Sequence, residues 1–328
     1  MVKILLVKLS SLGDVVHAMP VVQDILTALP SAQIDWVIEK SFAPLLSKVA
    51  AVHRVIPCEI RRWRKSPFSA ATRSEWRSFR ADLQRENYDA VIDLQGLTKS
   101  ALVAWLARLS AGGKRYALAN QTDGSGYEAP TRWVADVSIR MEPHIHAVQR
   151  SRELAARALG YSFAPQPDFG LKVHDVSHAA SGKTVALVHG TSRADKEWPL
   201  DYWIEAGRRL QATGCAVALV HGNPKELETS RQIAAGLADA TIWPVLSLDE
   251  LTEKLAQCAG VIGVDSGVSH MAVALDLPHV QIYNFDTAWR TGPLHTATDR
   301  PRQLSVFAKP APTVDAVWQA WISCCESI

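Results

Sequence analysis

Apolar and polar positions follow two tempos along the chain. Short, almost wholly apolar runs precede longer stretches in which apolar residues recur every three or four positions. The first run, Lys3–Val7, gives way to the polar turn Lys8-Leu9-Ser10-Ser11-Leu12-Gly13-Asp14. A helical pattern follows over 15–29 and stops at Pro30. Further strands are predicted at 34–38, 52–56 and 89–94, with helices over 70–86 and 97–109. Continuous apolar strands predict a sheet covered on both faces, and strand–helix alternation predicts parallel pairing. Between 112 and 144 the pattern weakens to loops with one short strand, before a helix over 146–159. The stretch 161–170 has two prolines and no helical period, which marks it as a linker.

A second series begins beyond it. Strands are predicted at Thr184–Val188, 216–220, 260–263 and His279–Tyr283, with helices over 200–213, 225–237, Leu248–Ala256 and 268–275. A last helix covers 314–324. The pattern as a whole predicts an α/β protein of two Rossmann-like domains facing across a cleft. Their expected bounds are 1–165 and 166–328, with the C-terminal helix a candidate to cross back onto the first domain.

Composition narrows the class. The 328 residues are 48% hydrophobic and 21% charged, which suits a chain with real cores. A net charge of +2 provides no global field for nucleic acid, so an anionic partner must be met by a local patch. The five cysteines are odd in number and lack Cys-x-x-Cys spacing, which argues against a disulfide framework or zinc site and for a reducing cytosol. No stretch approaches the ~20 apolar residues of a membrane span.

The dinucleotide fingerprint Gly-x-Gly-x-x-Gly and the P-loop are both absent. Ligands of open α/β sheets bind outside the carboxyl ends of the strands. There the first half offers Lys8, Ser10, Ser11, Gly13 and Asp14. The second offers His189-Gly190-Thr191-Ser192, Lys196 and the run Asp265-Ser266-Gly267-Val268-Ser269-His270. That run opens a helix, where free N–H groups and the dipole favour phosphate, although Asp265 or Ser266 also reads as a plain N-cap.

Three stretches resemble the lipopolysaccharide heptosyltransferase family: Lys8 to Asp14, Thr191-Ser-Arg-Ala-Asp-Lys-Glu-Trp-Pro199, and Val264-Asp-Ser-Gly-Val-Ser-His270. Ile60-Arg-Arg-Trp-Arg-Lys65, Asp93-Leu-Gln-Gly-Leu97 and His146-Ala-Val-Gln-Arg150 bring the likeness nearest to its type I branch. The similarity spans almost the whole chain. It implies the B-type glycosyltransferase fold and inverting transfer of L-glycero-D-manno-heptose from ADP-heptose to a Kdo residue of Kdo2-lipid A. One turn departs from the family pattern: Tyr283-Asn-Phe-Asp-Thr-Ala288 replaces an aromatic-Gly-Pro-Thr-like sequence.

The residues then take expected roles. Asp14 is the candidate general base, since a carboxylate in reach of an acceptor hydroxyl can take its proton; it also reads as a cap of the following helix. Lys196 stabilises charge on the departing ADP, with a solvated surface lysine as the plainer reading. Thr191, Ser192, Ser266, Gly267 and His270 join it at the phosphates, and Asp265 meets donor-sugar hydroxyls. Glu226 reads equally as a ribose ligand and as a first-turn glutamate favoured by the helix dipole. Arg61, Arg62, Arg64 and Lys65, joined by Lys99, form a patch for acceptor carboxylates and phosphates, beside Ser10, Ser11 and Gly13. That basic run around Trp63 also suits a membrane interface, a solvated charge cluster or RNA. Trp198 and Trp203 read as packing, and His144 and His146 as structural or acceptor-facing.

No Asp-x-Asp pair stands out, so metal-independent chemistry and no cofactor are expected. The expected partners are ADP-heptose, Kdo2-lipid A and, transiently, the cytoplasmic face of the inner membrane, with no nucleic acid. Transfer to a heptose acceptor and nucleotide-sugar epimerisation are the alternatives.

Overall fold

The computed structural model describes residues 1–173, 183–294 and 301–326. The chain divides into two compact units, Met1–Lys172 and Val173–Ile328, each built on one six-stranded parallel sheet.

In the first unit the strands are β1 (Lys3–Val7), β2 (Gln33–Glu39), β3 (Arg54–Cys58), β4 (Asn87–Asp93), β5 (Arg108–Leu118) and β6 (Val137–Ile139). They lie in the order β3-β2-β1-β4-β5-β6. In the second they are β7 (Thr184–Val188), β8 (Ala216–Leu219), β9 (Ala240–Ile242), β10 (Gly260–Val264), β11 (His279–Tyr283) and β12 (Gln303–Phe307). Their order is β12-β11-β10-β7-β8-β9, so the two units repeat one doubly wound topology. In each the strand order reverses between the first and fourth strands, β1 beside β4 and β7 beside β10, and this opens a crevice at their carboxyl ends.

The apolar runs are central strands for the expected reason. Ile4, Leu5, Leu6 and Val7 are fully buried, as are Val261, Ile262 and Val264. Helices cover both faces, and burial of this apolar surface at roughly 25 cal/mol per Å² holds each unit together.

Several boundaries differ from the sequence expectation. The helix expected over 15–29 is two helices, Leu12–Val16 and Pro20–Ala28, because Pro20 starts the second at a position that needs no N–H donor. The helix expected to reach 109 ends at Leu106, and the long strand β5 follows. Its Gly112-Gly113 pair resembles a loop in sequence but forms a bulge opposite Tyr88–Ala90. A Cβ on Gly113 would lie 2.5 Å from the Tyr88 carbonyl, so glycine is required there. Strands β9 and β12 escaped the pattern altogether, being short or half-buried edge strands.

The stretch 161–170 is held by its neighbours. Arg152, fully buried, makes a bidentate pair with Asp24 at 2.7 and 2.8 Å and donates to the carbonyls of Ala164 and Pro165. Leu171 bridges to Val49, so this segment packs on the first unit. The C-terminal helix Val314–Cys325 packs on β11 and β12. Among the described residues no helix is long and apolar enough to cross a membrane.

Candidate active site

In the first unit, the turn after β1 is clamped by the turn after β4. Gln95 accepts from the amides of Leu9 (2.8 Å) and Ser10 (3.2 Å) and donates to the Ser10 carbonyl (2.6 Å). Asp93 is buried and accepts from the Gln95 and Gly96 amides and the Ser100 hydroxyl. Loss of water pushes its carboxyl up to about 6 despite those donors. The motif Asp93-Leu-Gln-Gly-Leu97 is thus a brace for the Leu9–Ser10 backbone.

Asp14 sits on this braced turn. Ser11 is the N-cap of the helix Leu12–Val16, and Asp14, at its third position, accepts from the Ser11 amide (3.0 Å) and hydroxyl (2.8 Å). The capping role is therefore real, but Asp14 serves it from inside the helix rather than as the N-cap. Both of these bonds use Oδ2. Oδ1 lies 3.9 Å from the Lys8 ammonium, and the side chain keeps 41% of its exposure. The surrounding protein pushes the carboxyl upward, but Lys8, the two Ser11 bonds and Arg150 outweigh it and hold Asp14 below the usual carboxylate range. Lys8 is only 2% exposed and donates to the Leu94 carbonyl at 3.1 Å. Burial lowers its ammonium to about 8 against the attraction of Asp14. A buried lysine placed directly after an apolar strand was the sequence signal for this partner.

The basic run after β3 does not act as one patch. It forms the short helix Ile60–Trp63, and ~100° per residue spreads its side chains around the axis. Arg61 turns to the strand ends, where its guanidinium donates to the Ser10 hydroxyl at 3.0 Å. Lys99 donates to the same oxygen at 2.7 Å. Lys99 is lowered, first by loss of water and then by Arg61. Neither cation has an ion pair among the described residues; the nearby buried Glu39 accepts from the Arg61 amide at 3.4 Å. Arg62 instead pairs with Glu59 and Glu75, while Arg64 and Lys65 point to solvent. Trp63 is buried against Trp76 and Phe79. Arg61, Lys99, Ser10, Ser11, Gly13 and Asp14 are thus gathered, and Arg62, Arg64 and Lys65 are not.

His146 caps the helix Ala147–Leu159 through its ring nitrogen, and His144 lies 3.3 Å from Asp123. Among the described residues no group of three or more His, Cys, Asp or Glu side chains is placed to hold a metal ion.

In the second unit Asp265 is the centre. Its carboxylate is 2.5 Å from the Lys196 ammonium and 3.3 Å from His270 Nε2, with only 7% exposure. Burial alone would raise it, but the His270 bond and the charges of His270 and Lys196 hold it far below the usual range. Thr191 donates to the Asp265 carbonyl at 3.4 Å. Ser266 caps the helix Gly267–Ala274, accepting from the Ser269 amide. The bland reading of Ser266 is correct, and the helix start still offers its first N–H groups at the crevice. Ser192 is exposed beside Thr191.

Glu226 lies in the first turn of the helix Pro224–Ala235, capped by Asn223. Its carboxylate accepts from the Gly222 amide at 2.7 Å and covers Gly190, where a Cβ would fall 2.6 Å from the carboxyl carbon. Beside it a hollow of about 250 Å³ is lined by His189, Thr191, Trp198, Asn223 and Glu226 among others. His189 bonds Ser230 at 2.8 Å and burial lowers it to about 4, so it faces the hollow uncharged. Trp198 and Trp203 are buried and stack edge to face, which agrees with packing.

The atypical turn after β11 has a local task. Asn284 donates to the carbonyls of Asp195 (3.2 Å) and Glu197 (2.9 Å), the residues on either side of Lys196. Sequence alone gave no sign of this contact, because the two segments meet only in the folded unit.

Two doubly wound units, each with charged and hydroxyl groups at its topological switch point, make the paired Rossmann-like architecture of B-type glycosyltransferases. The model for glycosyltransferase family 9 (heptosyltransferase) matches residues 76–314. Lipopolysaccharide heptosyltransferase 1 of Escherichia coli K12 is 40% identical over 288 residues, 86% of this chain and 87% of that protein. Lipopolysaccharide heptosyltransferase 1 of Pseudomonas aeruginosa is 37% identical over 91% of this chain and 84% of its own length. The structure of E. coli heptosyltransferase WaaC with ADP superposes with a TM-score of 0.84 at 34% identity, covering 97% of this chain and 98% of that one. The chain belongs to glycosyltransferase family 9 and is a heptosyltransferase of lipopolysaccharide inner-core synthesis.

Proposed function

We propose that the enzyme moves L-glycero-D-manno-heptose from ADP-heptose to a Kdo residue of Kdo2-lipid A, with inversion, without a metal, at the cytoplasmic face of the inner membrane. The 37–40% identities to proteins named heptosyltransferase 1 support the type I acceptor. The single observation that carries the mechanism is Asp14, a half-exposed carboxylate held ionised by buried Lys8 with one oxygen unused by the cap.

In this reading Asp14 takes the proton of the acceptor hydroxyl as its oxygen bonds to the anomeric carbon. The bond from that carbon to the diphosphate breaks, and its electron pair leaves with ADP. Lys196 and the first amides of the helix Gly267–Ala274 stabilise the departing charge, aided by Thr191, Ser192, Ser266 and His270. Asp265 holds Lys196 in place before the donor arrives and offers its carboxylate to sugar hydroxyls. The hollow beside Glu226 takes the adenosine, with Glu226 on the ribose. Arg61 and Lys99, two cations converging on one hydroxyl, take the Kdo carboxylate, since charge-assisted bonds to such a pair are strong. Arg64 and Lys65 meet the lipid A phosphates.

The test is incubation with ADP-heptose in EDTA, with and without Kdo2-lipid A. ADP and a heptosylated lipid should form only when the acceptor is present. Conversion of the sugar nucleotide without acceptor would indicate an epimerase. Loss of transfer that Mg²⁺ restores would remove the leaving-group role from Lys196.

A further inference from the structure

The helix Ala70–Leu83 and the short helix Ile60–Trp63 flank an open apolar hollow of about 720 Å³. Trp63 and Trp76 wall it, with ring centroids 5.5 Å apart, and Leu102 closes one side. Arg64, Arg73 and Arg77 line it as well, and none of the three has an ion pair among the described residues. Large apolar side chains continue outward from it. Phe68 is 85% exposed, Trp105 is 61% exposed one turn beyond Leu102, and Trp133 is 72% exposed on the helix Pro130–Val134 that packs against the helix Thr98–Leu106. Most of the described tryptophans are at least half-buried, so Trp105 and Trp133 are exceptions that packing does not explain. Exposed apolar side chains on the elements around one apolar hollow mark a surface with a partner.

The charges select the partner. Protein interfaces also use tryptophan and arginine, so the sign of the charge decides: the lining holds three arginines and no acid. A second copy on a two-fold axis would lay this basic, acid-free face on another of the same sign, which repels. A bilayer meets both features at once, since indoles settle at the headgroup level and arginines draw anionic lipid. We propose that Phe68, Leu102, Trp105 and Trp133, with Arg73 and Arg77, form a docking face for an anionic phospholipid bilayer. The inference rests on the reading that the acceptor is a membrane lipid. It adds which surface meets the membrane.

The experiment is co-sedimentation with vesicles of phosphatidylglycerol and phosphatidylethanolamine, or of phosphatidylcholine alone. It compares the wild-type chain with the combined variant Phe68→Ser, Trp105→Ser, Arg73→Gln and Arg77→Gln, all exposed positions outside the catalytic groups. Wild-type binding should be at least about tenfold stronger to the anionic vesicles, two basic residues contributing roughly fivefold each near such a surface. The variant should lose that preference, while transfer to a deacylated, water-soluble Kdo acceptor stays within about twofold of wild type. Equal binding of the variant and the wild type would overturn the proposal, as would wild-type binding that ignores lipid charge. Dimerisation of the wild type that the variant abolishes would reassign the face to a second copy. Absence of transfer to any Kdo acceptor would sink the functional reading instead, and the vesicle result would still stand by itself.

Discussion

The crevice outside β1 and β4 and the crevice outside β7 and β10 occupy the same place in the same strand order, and each sets an aspartate beside a lysine. Asp14 keeps 41% of its side-chain exposure, with its nearest cation 3.9 Å away and itself buried. Asp265 keeps 7%, with Lys196 at 2.5 Å and His270 at 3.3 Å. Both carboxyls are held ionised, yet by opposite means. Around Asp14 the cation is a buried lysine 3.9 Å from Oδ1, the oxygen that the cap leaves unused. Around Asp265 the Lys196 ammonium and the His270 ring occupy the oxygens themselves. The first arrangement suits taking a proton and the second suits fixing a cation at the proposed phosphate site. One topology thus provides either chemistry, depending on whether the lysine follows the first strand or reaches in from a loop.

The comparison is most easily broken at Asp14. Asp14→Asn should lower kcat by ~10²-fold or more, as expected for loss of a positioned base. Turnover near wild type at saturating acceptor would end its role.

The next effect lies among the arginines. Arg61→Ala should raise the acceptor KM by about tenfold or more, since a charge-assisted contact is worth ~1.5–3 kcal/mol. Arg62→Ala should change it by less than about threefold, because Arg62 is an exposed residue committed to Glu59 and Glu75. Steady-state kinetics on both variants checks this, and equal effects would restore the undivided patch that the sequence suggested.

Lys8→Met sharpens the account in two directions. Rate should depend on ionised Asp14 and fall as pH drops through its value. Removing the ammonium raises that value, so the acid limb of the pH–kcat/KM profile should move to higher pH. Stability should change oppositely. The Lys8 value in the fold is about 8, below the ordinary 10.5, so the charged side chain opposes folding at pH 7 and this opposition fades as pH rises from 8 toward 10.5. The variant should therefore be more stable at pH 7, by roughly 1–3 kcal/mol less the bond to Leu94, with the gain shrinking by pH 10. Thermal melts at the two pH values measure it, and a variant less stable at pH 7 would refute the assignment of Lys8 as a strained charge.

The smallest effect is expected at Asn284. Asn284→Ala removes two bonds of about 1 kcal/mol each from the carbonyls flanking Lys196 and should weaken donor binding roughly three- to tenfold with the acceptor KM unchanged. Equal weakening of both substrates would make the contact a general prop.

Much of this was legible in the chain. Apolar runs marked the central strands, and the groups immediately after them marked both crevices, because a parallel strand must end where a ligand can begin. The edge strands were not legible: β9 and β12 bury too little to show a pattern, and Gly112-Gly113 hid the bulge of β5 behind a loop signal. The basic run around Trp63 misled for a geometric reason. Neighbours in sequence diverge on a helical turn, so Arg61 and the distant Lys99 share Ser10 while Arg62 does not. The tie from Asn284 to the Lys196 segment joins residues almost ninety positions apart, and no local pattern encodes it.

The division of labour between the two acids is tested most directly by titrating ADP-heptose into Asp14→Asn and Asp265→Asn side by side. Asp14→Asn should bind within about twofold of wild type, because its loss is in turnover. Asp265→Asn should bind at least about tenfold more weakly, because removing one partner of a buried ion pair leaves Lys196 and His270 without their anchor. Weakened binding in Asp14→Asn with wild-type binding in Asp265→Asn would contradict the account.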